Sequence, residues 1–234
     1  METAPPEGAT FTPYGPWATL ALAVAVMVGS SLAGVALMFL LHGDAMSNGG
    51  LNIHYTLLLT LVSFLIGIGV LLKVVEVRAP GRAADYLSLH WVETSQAVRW
   101  VALVIAYLLL SMVLEAMLRN AFDIPAPVTS LDGARVGPLL IAAAVIVGPV
   151  FEEMMFRGFI MEGLLRTPVG TGGALVISTL LWTLLHSEYD LIGMLIVFGC
   201  GIVLGIARLS TGSLLLAMLM HAVFNATSIL LSAA

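Results

Sequence analysis

The chain has 234 residues, 60% hydrophobic and only 10% charged, against about 45–50% and about 25% in soluble domains. So few charges cannot cover the surface of a water-soluble globule, and a mean hydropathy of +1.06 makes lipid the expected solvent. A net charge of −5 excludes the basic face that nucleic acid requires, and the single cysteine, Cys200, excludes a disulfide framework or a multi-thiolate metal site.

A membrane-spanning helix needs about 20 apolar residues to cross about 30 Å of hydrocarbon. Residues 1–16 read as an N-terminal tail with two glutamates and no basic residue. A secretory signal needs a basic start and a short apolar core, so the stretch that follows is expected to be a retained span. Spans are expected at 17–41, 51–72, 98–118, 136–165, 174–186, 191–207 and 213–231. The fifth has the length of a re-entrant or protein-buried helix. The fold class is therefore all-α, a polytopic transmembrane bundle of about seven to eight helices. It forms one domain over residues 17–234, with no internal repeat.

Two polar stretches interrupt the pattern. Residues 73–96 contain Pro80-Gly81, which breaks a helix, and the remainder reads either as an amphipathic interfacial segment or as a plain loop. Residues 120–135 hold Pro125 and Pro127. Basic residues favour the cytoplasmic side. Lys73, Arg78, Arg82, Arg99, Arg166 and Arg208 fall on one side of an alternating topology, and only Arg119 and Arg135 on the other. The N-terminus is then inside and the C-terminus outside.

Ionisable groups within spans are functional candidates because their burial in lipid is costly. The fourth span carries Glu152, Glu153 and Arg157 within one and a half turns. Glu153 and Arg157, four apart, share a face and suit an ion pair. Glu152 is rotated by about 100° and is available to another neighbour. His186 closes the fifth span, and His221 lies in the seventh with Asn225 one turn on. Counting about 1.5 Å per residue from the cytoplasmic edge puts Glu152 ~21 Å deep, His186 ~20 Å, His221 ~12 Å and Asn225 ~18 Å. One band near the bilayer centre holds them all. No HExxH and no pair of aspartates within spans is present, and the turn Ser210-Thr211-Gly212-Ser213 has no strong nucleophile signature.

At these residues the chain resembles the CPBP (Abi, type II CAAX prenyl endopeptidase-like) intramembrane proteases. The resemblance rests on Glu-Glu-x-x-x-Arg at Glu152, Glu153 and Arg157, on an aromatic four residues before a histidine at Trp182 and His186, and on His-x-x-x-Asn at His221 and Asn225. Phe is the commoner aromatic. The motifs cover about 75 residues, in order and on successive helices, within a CPBP-type core expected at 136–231. The resemblance implies an intramembrane endopeptidase acting on a peptide or protein substrate at or in the membrane. Glu152 would be the general base, with His186 holding the water. His221 and Asn225 would donate to the oxyanion, and Glu153 and Arg157 would set the geometry. No cofactor is expected, since neither histidine has an evident acidic orienter, yet Glu152, His186 and His221 also make a possible zinc set. A non-catalytic membrane partner using the same polar cluster for binding is the alternative. A proton-relaying transporter is weaker still, for want of an inverted repeat. One Lys against eight Arg, with abundant Ala and Gly, points to a multi-pass protein of a bacterial inner membrane.

Overall fold

The computed structural model describes residues 12–49, 53–125 and 137–232. Residues 1–11 of the expected tail and Arg135 lie outside the described residues. No strand occurs among those described. The helices are α1 (Pro16–Gly49), α2 (Ile53–Arg78), α3 (Ala83–Leu87), α4 (Thr94–Phe122), α5 (Pro138–Leu165), α6 (Gly170–Leu184), α7 (Leu191–Thr211) and α8 (Leu214–Ser232). Helices dominate because a bilayer offers no water to the backbone, so each segment must satisfy its own N–H and C=O groups. Six of them are long and apolar enough to cross a membrane. The chain is a multi-pass membrane protein built as a helical bundle.

Several boundaries differ from the expected ones for identifiable reasons. Helix α2 runs on past residue 72 to Arg78, carrying Lys73, Glu76 and Arg78 beyond the apolar stretch. Polar residues end the hydrophobic signal without ending the helix. The helix stops where Gly81 adopts φ +67°, a conformation that glycine reaches without strain. Residues 73–96 are neither a long interfacial helix nor a plain loop. The five-residue α3 tucks Tyr86 and Leu87 wholly into the protein, and burial pushes the Tyr86 hydroxyl up to about 12. Helix α6 starts earlier than expected and ends at Leu184, so His186 sits in the following turn rather than in the helix.

Tertiary contacts set which ends lie together. Arg78 Nε donates to the Thr12 carbonyl at 2.6 Å and Tyr14 Oη to the Val74 carbonyl at 3.0 Å, joining the start of α1 to the end of α2. The Leu214 amide donates to the Ser88 carbonyl at 2.9 Å, and Ser213 Oγ to the His90 carbonyl at 2.5 Å. These place the α7–α8 turn beside α3, at the end where α5 turns into α6. Lys73, Arg78, Arg82, Arg99, Arg166 and Arg208 all belong to this basic end. At the other end Arg119 of α4 grips Asp190 with two nitrogens, at 2.8 and 3.1 Å. Asp190 also caps α7 by accepting from the Gly193 amide at 3.0 Å. The Arg119 guanidinium, then that amide, hold the Asp190 carboxyl below its usual range.

Helix α5 is the axis. Half of its apolar window is buried, against 22% for α1 and α2 and 17% for α4, whose outer faces meet lipid. Two stretches of α5, Ile141–Val147 and Met154–Ile160, are wound as π-helix with i→i+5 hydrogen bonds, a feature found mostly at functional sites. They flank Glu152 and Glu153.

Candidate active site

The helix period that separates the two carboxylates sends them into different surroundings. Glu153 is fully buried, and its Oε1 accepts from Arg157 Nη1 at 3.0 Å and from His221 Nδ1 at 2.9 Å. Arg157, also fully buried, donates from Nη2 to the Gly201 carbonyl at 3.1 Å and lies 4.4 Å from the centre of the Trp182 ring. Gly201 allows this approach: a Cβ there would sit 2.8 Å from Arg157 Nη2 and 2.6 Å from Thr179 Cγ2. The expected i, i+4 pair is formed, and it ties α5 to α7 and α8.

Glu152 keeps 18% of its side chain exposed. Its Oε2 accepts from Trp182 Nε1 at 2.6 Å and stands 3.9 Å from His221 Nε2. Trp182 thus holds Glu152 through its edge while its face covers Arg157. Sequence reading registered Trp182 only as an aromatic near a histidine. Its i, i+4 relation to His186 was the available signal, but the partner on α5 is a tertiary fact.

Both histidines have assignable tautomers. His186 Nδ1 lies 3.1 Å from the Trp182 carbonyl, which only accepts, so Nδ1 carries the proton and Nε2 keeps its lone pair. His221 Nδ1 faces the carboxylate of Glu153 and is likewise protonated, turning Nε2 toward Glu152. Glu153 is therefore the acidic orienter that the sequence left unseen.

Asn225 is placed by a defect in α5. In the π-wound stretch the Gly148 amide donates to the Ala143 carbonyl. The donor next in register, for the Ala144 carbonyl, would be the amide of residue 149. That residue is Pro149, which has no N–H. Asn225 Nδ2 donates there instead, at 2.8 Å. An accepting carbonyl fixes which way the amide faces, leaving a second N–H on Nδ2. Neither Pro149 nor Ala144 was a sequence candidate.

Glu152, Trp182, His186, His221 and Asn225 line one cavity of about 290 Å³. A second cavity, of about 410 Å³, lies between α1, α2 and α5 and shares Glu152 and His186 with the first. The residues expected in one band share this cavity, with Glu153 and Arg157 buried behind its wall. Among the described residues no group of three or more His, Cys, Asp or Glu is close enough to hold a metal, although the bonded Nδ1 atoms of His186 and His221 leave both Nε2 atoms free in the way a ligating histidine requires.

No curated protein and no solved structure matches the chain. Residues 135–227 match the family described as type II CAAX prenyl endopeptidase Rce1-like. That stretch runs from just before α5 to within α8 and contains Glu152, Glu153, Arg157, Trp182, His186, His221 and Asn225, so over these residues the chain is similar to the Rce1-like family of type II CAAX prenyl endopeptidases.

Proposed function

We propose that the protein is an intramembrane endopeptidase that hydrolyses a peptide bond with water activated by Glu152. The observation that carries this reading is the division between the carboxylates. Glu153 is sealed away from the cavity with its Oε1 shared by Arg157 and His221, while Glu152 reaches the cavity with one hydrogen bond, from Trp182. A base needs access to substrate and a fixed position, and Glu152 combines the two.

Glu152 takes a proton from water, whose oxygen attacks the carbonyl carbon of the scissile bond. The lone pair of His186 Nε2 holds the second water hydrogen. The carbonyl oxygen becomes an oxyanion, served by the free N–H of Asn225 and by Nε2 of His221. For this His221 enters the cycle with a proton on each ring nitrogen, Nδ1–H to Glu153 and Nε2–H toward Glu152, and keeps both throughout, so the only proton transferred is the one that passes from water through Glu152. The C–N bond then breaks as the proton held by Glu152 passes to the leaving nitrogen. Glu153 and Arg157 keep His221 and Trp182 in place. The Rce1-like match supports a CAAX-protease-type peptidase, and composition supports a bacterial inner membrane as its location.

Replacing Glu152 with Gln keeps the shape and removes the proton acceptor. Turnover should fall at least about 100-fold, with the melting temperature in detergent preserved. Full activity of purified Glu152→Gln protein would refute the mechanism.

A further inference from the structure

While the second cavity reaches exposed Ser31 partway along α1, the first cavity holding Glu152 reaches one end of the bundle and is closed toward the other. Its lining reaches Thr56, three residues from the start of α2, and Ser228, four residues from the end of α8. Both lie about 6 Å or less from the ends of their helices. Exposed Glu188 stands at the rim of both cavities. In the other direction, thirteen residues separate Glu152 from Leu165, about 20 Å of helix. That length is filled by Met155, Phe156, Phe159 and Ile160, each 2% exposed or less. Tyr86 and Leu87 of α3 close it further.

The sealed end is the basic end. Of nine Lys and Arg, six lie there and Arg157 lies in the core. Arg119, paired with Glu115 and Asp190, lies at the other end, and Arg135 falls in the α4–α5 connection, outside the described residues, so the bias is six against two. Basic residues stay with the cytoplasm, so the sealed end faces the cytoplasm and the open end faces away from it.

We infer, building on the peptidase reading above, that the substrate is a peptide segment presented from the extracytoplasmic side. It is an extracytoplasmic loop or the outer end of a transmembrane helix, not a prenylated C-terminal tail. A CAAX tail is lipidated at its terminal cysteine motif in the cytoplasm and would meet the closed end of the bundle. The lining suits an extended apolar segment: Leu57, Phe64, Val197, Phe224 and Ile229 surround the approach, and the polar groups gather at Glu152.

Single cysteines in a Cys200→Ala background test the direction without any substrate. Ser228→Cys in the lining and Ser187→Cys, exposed beside Glu188, report the mouth, and Ser210→Cys, exposed in the last turn of α7, reports the basic end. A membrane-impermeant maleimide should label the first two at least tenfold faster in right-side-out than in inside-out vesicles, and Ser210→Cys the reverse. Faster labelling of both mouth cysteines from the cytoplasmic side overturns the inference, whatever the activity. The substrate class is read by comparing protein termini in membranes carrying wild type or Glu152→Gln. New termini in extracytoplasmic segments support it, and new termini at cytoplasmic tails overturn it. An absence of any Glu152-dependent terminus refutes the peptidase reading and the substrate class with it, while the labelling still decides which way the cavity opens.

Discussion

Removing Glu153 should unfold the site from behind. Its Oε1 is the shared acceptor for Arg157 Nη1 and His221 Nδ1, and all three side chains are 3% exposed or less. In Glu153→Ala the guanidinium keeps only the Gly201 carbonyl and the Trp182 face, and a broken buried pair of this kind costs about 3–5 kcal/mol. The orphaned His221 N–H adds about 1–3 kcal/mol. A loss of about 4 kcal/mol or more corresponds to a fall in melting temperature of about 10 °C for a chain of this size. Arg157→Ala should cost less, about 3 kcal/mol, because Glu153 keeps His221 as a partner. Glu152→Ala removes one hydrogen bond from a partly exposed side chain and should shift melting by only about 3 °C. The double variant Glu153→Ala/Arg157→Ala leaves neither charge stranded, so it should be milder than the sum of the singles by about 3 kcal/mol. Melting curves of the four variants in detergent measure this. Strict additivity, or equal losses from Glu152→Ala and Glu153→Ala, would refute the assignment of Glu153 to structure and Glu152 to chemistry.

Exhaustive chelation should leave turnover unchanged, and activity that is lost on chelation and restored by stoichiometric zinc would replace the metal-free mechanism with a zinc site at Glu152, His186 and His221. The Asp190 carboxyl is held low by Arg119, so its contribution to stability is present above its unfolded value near about pH 4 and is lost as pH falls through the lower folded value. Melting followed down through that range should fall more steeply for wild type than for Asp190→Asn. Asn225→Ala strands the Ala144 carbonyl and should cost about 1–3 kcal/mol. Pro149→Ala returns a backbone donor to that carbonyl, so the same Asn225→Ala change should cost less in its background, which a double-mutant cycle in detergent would measure.

The sequence alone was enough to call for a membrane bundle, because hydropathy and helix length follow from composition along the chain. It was also enough to expect Glu152, His186, His221 and Asn225 in one band, since helical rise converts residue number into distance. The i, i+4 spacing of Glu153 and Arg157 was likewise a local property and led to a real ion pair. What a neighbouring helix supplies has no trace in local spacing. That Trp182 would donate to Glu152, that Glu153 would orient His221, and that Gly201 would admit the guanidinium were decided by how α5, α6, α7 and α8 pack. The same holds for Asn225. Pro149 was visible as a residue without an amide hydrogen, but only the π-wound register of α5 shows that the carbonyl it leaves unpaired is the one facing Asn225 across the bundle.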